Sequence, residues 1–310
     1  MIQTVADIAL PVDEHLIIRR NRLQHGTSTR RLSVVTGIHG DELEGQYVCY
    51  GLQRRLQGHM DLLDGIIDIY PGMNPLGVDS IMRGIPGFYL DMNRIFPGQH
   101  NGDMNEHMAS MIIDSVKGSD LVLDIHASNI YLTEVPQIRI NELHQETLVP
   151  IAMHANNDLI WVHGSATVLE STFAYSLNTI GTKTLVVEMG VGMRITRGYG
   201  EQMIDGIFCL MKEMGMWSGD TIEPRVPVIS KNPDDVVYLN SPTAGVFIRE
   251  AEHGQLIRKG QLIGIIASPL EGRILAEVKA PKTGWLFTLR DYPVVDSGSL
   301  LARIIRKEAL

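Results

Sequence analysis

Only two cysteines occur in 310 residues, Cys49 and Cys209, and neither belongs to a CxxC or similar pattern. A disulfide scaffold is thereby excluded, and two isolated thiols fit a reducing compartment. Basic charge is also scarce. Twenty-seven Lys plus Arg stand against 36 Asp plus Glu, a formal charge of −9, which argues against a scaffold that binds nucleic acid by neutralising phosphate. The expected partner is a small molecule. No run approaches the roughly 20 apolar residues of a membrane span, and the opening MIQTVADIALPVDEH has no basic segment leading into an apolar one. The expectation is a soluble, unsecreted, cytoplasmic protein associated with neither nucleic acid nor membrane. What is present is 44% hydrophobic residues, enough for a sizeable core, in a chain long enough for about two domains.

From Arg31 to about Trp217, short apolar runs alternate with amphipathic stretches of helical length, the pattern of an α/β layer protein with a largely parallel sheet. The predicted strands are 32–38, 65–70, 120–125 and 183–188. The predicted helices are 41–57, 103–116, 142–155, 168–178 and 200–214, the first with Leu43, Tyr47, Tyr50, Leu52 and Leu56 mostly on one face. The stretch WSGDTIEPRVPVISKN, 217–232, loses helical periodicity and marks a boundary. Beyond it come short β-rich runs (VVYL, GVFI, LIGIIA, ILAEVKA, GWLFTL, LLARII) between turn residues. Within them Pro-x-x-Gly recurs at 242–245 and 281–284, which points to two related hairpin units in an all-β module.

Four clusters carry chemistry. In Thr36-Gly37-Ile38-His39-Gly40-Asp41-Glu42, at a strand-to-helix turn, an imidazole and a carboxylate three residues apart can converge on one ion. The same spacing fits acids that offset a helix macrodipole beside a surface histidine. His126 closes the run Asp120-Leu121-Val122-Leu123-Asp124-Ile125-His126. Asp124, two residues earlier on the same strand face, can hold the imidazole through its second nitrogen or pair with an arginine. Glu188 ends the strand Val186-Val187-Glu188-Met189-Gly190 and is either a general base or a carboxylate answering a cation such as Arg194 or Arg197. The Gly/Pro-rich loop from Arg83 to Gly98 holds Asp91, Asn93 and Arg94; its arginines suit carboxylate or oxyanion recognition, or simple pairing with Asp91 or Asp103.

Together, Gly37-x-His39-Gly40-Asp41-Glu42-x-Glu44-Gly45, Asn74-Pro75 followed by Asp91-x-Asn93-Arg94-x-Phe96-Pro97-Gly98, Asp124-x-His126 and Val186-Val187-Glu188-Met189-Gly190 resemble the succinylglutamate desuccinylase and aspartoacylase family, in order, over about residues 31–195. The resemblance implies a zinc carboxypeptidase-like α/β fold, a mixed and largely parallel sheet flanked by helices, over residues 1–222. It implies a C-terminal all-β, barrel-sandwich-like domain over 223–310. It implies one zinc per chain held by His39, Glu42 and His126, with a position left for water, as in catalytic rather than structural sites. Glu188 then matches the glutamate that takes a proton from the activated water and passes it to the leaving nitrogen. Arg83 matches the arginine that helps stabilise the tetrahedral oxyanion, and Asn93 and Arg94 match the pair that grips a substrate carboxylate. The implied activity is hydrolysis of the amide bond of a small N-acyl amino acid.

Two departures limit the match. Arg83 is separated from Asn93 by the insertion-prone Gly84-Ile85-Pro86-Gly87, and no motif fixes which of Arg139, Arg194 and Arg197 reaches a second carboxylate. The HGDELEG and FPG forms are nearer to bacterial deacylase-like members, including those acting on N-acetylated diamino acids, than to aspartoacylases. A metallocarboxypeptidase for short peptides, or a catalytically silent ligand-binding relative, are the alternatives. The C-terminal module resembles biotinyl and lipoyl carrier domains, but Lys259-Gly260 and Lys279-Ala280 do not present a carrier lysine. It is expected to cover the cleft or mediate homo-oligomerisation, with Tyr238 and Tyr292 packed rather than reaching substrate.

Overall fold

The computed structural model describes residues 1–164 and 170–307. In chain order its elements are β1 (Ile2–Ala9), β2 (His15–His25), β3 (Arg31–Thr36), α1 (Glu44–Gln57), β4 (Gly65–Tyr70), α2 (Pro75–Ser80), α3 (Met104–Val116), β5 (Leu121–Ala127), β6 (Leu132–Asn141), α4 (Gln145–Ala152), β7 (Leu159–His163), α5 (Phe173–Thr179), β8 (Thr184–Gly190) and α6 (Arg197–Glu213). The C-terminal strands are β9 (Val228–Ser230), β10 (Val236–Asn240), β11 (Gly245–Arg249), β12 (Leu256–Ile257), β13 (Leu262–Ser268), β14 (Arg273–Lys279), β15 (Gly284–Arg290), β16 (Val294–Val295) and β17 (Leu300–Arg306). The fold is mixed α/β.

The four strands predicted from the sequence form the parallel centre of the large sheet, in the order β4-β3-β5-β8. Helices cover both faces there, so each strand buries both sides and its apolar run reads as nearly continuous. Leu32 and Val34 of β3, with Leu121, Leu123 and Ile125 of β5, pack beneath α1 and α6. Val35 and Val122 face the other way, against α3 and α5. On α1 the buried face is Val48, Cys49, Leu52 and Leu56; Tyr50, expected among them, is exposed. Cys49 and Cys209 are buried free thiols.

Several elements differ from the sequence expectation. β1 and β2 form an antiparallel hairpin that extends the sheet beyond β4. β6 and β7 were not among the predicted strands, because β6 carries Glu134, Gln137, Arg139 and Asn141, and polar side chains erase an apolar strand pattern. The helix expected at 142–155 opens as a 3-10 turn and becomes α4 only at Gln145. Of the helix expected at 168–178, residues 168 and 169 lie outside the described residues and the remainder forms a helix from Phe173.

All six predicted C-terminal runs are strands. Three of them, β11, β13 and β14, make a second, antiparallel sheet with the short strand β16, in the order β14-β13-β11-β16. The others join the large sheet: β15 pairs with β6 and carries β17 and then β10 outward. Phe247, Ile263 and Ile266 from the small sheet meet Leu286, Leu301 and Ile304 from the large one in a sandwich core. Backbone pairing crosses the expected boundary at 222 twice, through β9 on β7 and β15 on β6. No helix among the described residues is long and apolar enough to cross a membrane.

Candidate metal centre and active-site cleft

β3 ends at Thr36, and the chain turns through Gly37-Ile38-His39-Gly40 before α1 begins at Glu44, three residues later than the periodicity predicts. Gly37 has φ +70°, in the left-handed region that favours glycine. A Cβ at Gly40 would stand 2.0 Å from the Gly77 carbonyl carbon, so only glycine lets this turn pack on the backbone of α2. His39 and Glu42 are therefore fixed in a tight loop and not on the helix surface. Both are buried, as is His126 near the end of β5, on the strand next to β3.

The ligand atoms of His39, Glu42 and His126 all lie within 4.8 Å of one another. His39 Nδ1 stands 2.8 Å from Glu42 Oε1, and His126 Nδ1 stands 2.9 Å from Glu42 Oε2. The Ala127 backbone N–H also donates to Glu42 Oε2 at 3.1 Å. Each imidazole meets a second carboxylate at its other nitrogen: Asp91 Oδ1 is 3.0 Å from His39 Nε2, and Asp124 Oδ2 is 3.1 Å from His126 Nε2. Such carboxylate–imidazole pairs fix the ring tautomer and aim the remaining nitrogen, here Nδ1, at a shared point. Arg83 donates to Glu42 Oε1 at 2.8 Å and approaches Asp91 Oδ2 at 3.5 Å.

Three carboxylates against one guanidinium leave an excess of two negative charges around two buried imidazoles. Burial pushes the Glu42 carboxyl up, but the two imidazoles outweigh it and hold the group well below the usual carboxylate range. Burial lowers both histidines, and Asp124, Glu42 and Asp91 overcome it, so both titrate above the ordinary imidazole value. A pocket that favours positive charge this strongly suits a divalent cation.

Glu188 stands on β8 in register with His126 of β5. Burial pushes its carboxyl up to about 7, against the opposing pull of Arg139, whose Nη1 lies 3.2 Å from Glu188 Oε1. The cation answering Glu188 is thus Arg139. Neither Arg194 nor Arg197 does so: the first faces Asp291 at 3.7 Å and the second donates to the Tyr47 hydroxyl at 3.2 Å.

These residues share a cleft of about 660 Å³, which Arg83, Asn93 and Arg94 also line. The succinylglutamate desuccinylase/aspartoacylase catalytic domain matches residues 28–214, more than half of the chain. The chain belongs to this family. It is 25% identical over 274 residues to N-alpha-acetyl-L-2,4-diaminobutyric acid deacetylase of Halomonas elongata, covering 86% of this chain and 80% of that one. Its fold is that of the ectoine utilization protein EutE from Ruegeria pomeroyi in its product-bound structure (TM-score 0.82, 18% identity, 97% and 93% of the two chains covered). It is likewise that of a succinylglutamate desuccinylase/aspartoacylase from Rhodobacter sphaeroides (TM-score 0.81, 22% identity, 98% and 95% covered).

In this desuccinylase/aspartoacylase member, the Asn93-Arg94 turn is set by Asp91, whose Oδ1 accepts from the Asn93 backbone N–H at 2.9 Å. Asn93 Oδ1 in turn accepts from the Phe173 backbone N–H at 2.8 Å, which ties the turn to the start of α5. Arg83, Arg139 and Arg303 all engage carboxylates. Arg94 is the one arginine in the cleft that has no carboxylate partner among the described residues; it donates only to the Asn93 carbonyl, at 2.7 Å.

Sequence reasoning missed the second role of Asp91 and the whole group behind Glu188. Glu134 is fully buried and accepts from Arg139 Nη2 at 3.0 and 2.8 Å, from Thr288 at 3.2 Å, and from Arg303. Both guanidinium groups lie over the Trp161 ring, Arg139 at 5.4 Å and Arg303 at 5.5 Å from its centroid. Thr288 and Arg303 belong to β15 and β17, so the C-terminal strands reach into the cleft. Nothing in the local sequence signals this, because it depends on pairing between β6 and β15. Tyr238 lies outside the cleft with Arg303 over its ring, and Tyr292 packs edge-to-face with Tyr131.

Proposed function

We propose that the protein is a zinc-dependent deacylase that hydrolyses the amide bond of a small N-acyl amino acid. The observation that carries the proposal is the joint occupancy of one cleft by three things: a cation cradle, a carboxyl poised near neutrality, and an arginine without a carboxylate partner. The donor set fits zinc, since two imidazole nitrogens and one carboxylate converge from a rigid loop and a strand end, each imidazole steadied from behind. A zinc ion held by His39, Glu42 and His126 supplies Lewis acidity toward the amide carbonyl and makes water acidic enough to ionise near neutral pH.

The remaining work falls to the chain's own groups. Ionised Glu188 takes a proton from water and hands it to the leaving nitrogen, a task suited to a pKa near the working pH. Arg83 stands beside Glu42, where its guanidinium can share charge that develops on the carbonyl oxygen. Arg94, with the Asn93 amide beside it, grips the α-carboxylate by charge-assisted hydrogen bonds. Asp91 and Asp124 hold the imidazoles in the tautomer that leaves Nδ1 facing Glu42. Residues 223–310 act as a cleft-shaping domain, through Arg303 and Thr288 on Glu134.

Primary-amine release from N-acetyl, N-succinyl and longer N-acyl amino acids, run beside dipeptides with Glu188→Gln as the blank, tests this reading. Release confined to N-acyl amino acids is expected. Faster release from dipeptides establishes the carboxypeptidase instead, and silence from zinc-loaded protein overturns the deacylase reading.

A further inference from the structure

The cleft continues well past the metal cradle. Glu188, Val186 and Thr184 point to one face of β8, and all three line the cavity down to the strand's first residue. Four residues of strand cover about 13 Å. On the antiparallel neighbour β6, Arg139 stands opposite Val186, and Asn141 lies one step further. On β7, Trp161 and His163 stand in register with those two residues. Tyr175 of α5 and His144, just before α4, close the far end. Because Asn93 is bonded to the start of α5, this chamber adjoins the Asn93-Arg94 turn.

An amino acid whose α-carboxylate sits on Arg94 therefore sends its side chain into the chamber, an orientation that rests on the deacylase reading above. The far end lies at the first residue of β8, four residues from Glu188, so a short side chain does not reach it. Charge narrows the choice further. Every carboxylate lining the cavity is committed: Glu42 and Asp124 to the cradle, Glu134 to two arginines, and Glu188 beside Arg139. Glu142 is exposed and outside the lining. Residues 165–169, Ser-Ala-Thr-Val-Leu, bring no charge by their composition. The chamber's imidazoles, His144 and His163, are both pushed down by burial, which favours their neutral forms. What the far end does offer, among the described residues, is two buried polar atoms without a hydrogen bond, Asn141 Nδ2 and His144 Nε2.

We propose that this chamber selects a leaving amino acid with a long, uncharged side chain ending in a carboxamide or ureido group, received by Asn141 and His144. The carbonyl oxygen of such a group accepts from Asn141 Nδ2, and its NH2 donates to His144 Nε2. The diaminobutyric acid named for the Halomonas elongata relative is short and cationic and meets neither condition.

Calorimetric titration of zinc-loaded Glu188→Gln protein with N-acetyl derivatives of citrulline, glutamine, lysine, aspartate and alanine reads the preference without turnover. Citrulline is expected to bind about ten-fold or more tighter than lysine, its charged match in length, and than alanine. Asn141→Leu should erase that preference. Asn141→Asp, of nearly the same shape, should turn it toward lysine and provides a check should the leucine variant fail to fold. Equal or tighter binding of lysine or aspartate by the parent, a preference that survives Asn141→Leu, or no binding by any member overturns the inference. Amine release by the wild type separates the two readings. Binding in the expected order without release keeps the chamber and removes the deacylase, whereas release favouring lysine or aspartate does the reverse.

Discussion

The centre of the large sheet and its C-terminal edge meet in one cleft but contribute to it in different ways. At the centre, the loop beyond β3 delivers His39 and Glu42, and β5 delivers His126 from beside its carboxyl end, with Glu188 of β8 in register next to it. At the edge, antiparallel β15 and β17 contribute Thr288 and Arg303 from mid-strand, and those side chains grip Glu134. Strand ends leave a side chain free to point outward at a ligand, whereas a mid-strand side chain is fixed by neighbours on both sides. On the proposed function, the first region meets substrate and the second holds Arg139, the partner of Glu188, in place.

If this division is right, the two regions should fail differently when altered. The largest effect belongs to the metal cradle. His39→Ala or His126→Ala should lose bound zinc, measured by elemental analysis of dialysed protein, and all turnover with it; one zinc retained per chain would break the assignment. Glu188→Gln should keep zinc and lower kcat by about 10²–10⁴-fold.

Glu134→Leu should act on stability first. It strands Arg139 and Arg303 without their buried partner, a loss of about 3–5 kcal/mol by denaturant unfolding. A loss as small as that of a surface pair would make the C-terminal edge a bystander.

A pH profile sharpens the comparison further. A raised carboxyl is protonated below its pKa and cannot act as a base, so kcat/KM should rise with pH and level off near 7, or lower with zinc pulling the group down. Arg139 is the cation that opposes burial, so Arg139→Met should move this limb to higher pH. The smallest effect is expected at Arg194, 70% exposed at its side chain, where alanine should change stability by less than about 1 kcal/mol and leave the pH profile alone.

How much of this was legible follows from range along the chain. His39 and Glu42 are three residues apart, and Asp91, Asn93 and Arg94 share one turn, so motif spacing was enough to mark them. Strands buried on both faces announce themselves as apolar runs, and β3, β4, β5 and β8 did. β6 did not, because Glu134, Gln137, Arg139 and Asn141 make it look like a loop. The same polar residues supply the partner of Glu188 and line the far chamber, so the least legible strand shapes the far end of the cleft. The start of α1 was misread because Asp41 and Glu42 resemble a helix entry. Packing of Gly40 on the α2 backbone instead keeps them in the turn.

The sequence by itself determined the α/β alternation, the β-rich C-terminal third, and which residues share each chemical cluster, because periodicity and short-range spacing are properties of adjacent residues. Only the tertiary structure decided that Arg139 and not Arg194 or Arg197 answers Glu188, that Asp91 and Asp124 each steady an imidazole, and that Arg303 closes on Glu134 from 169 residues away. These pairings follow from strand order and register, which bring distant residues within hydrogen-bond reach, and register is fixed only once the whole sheet has formed.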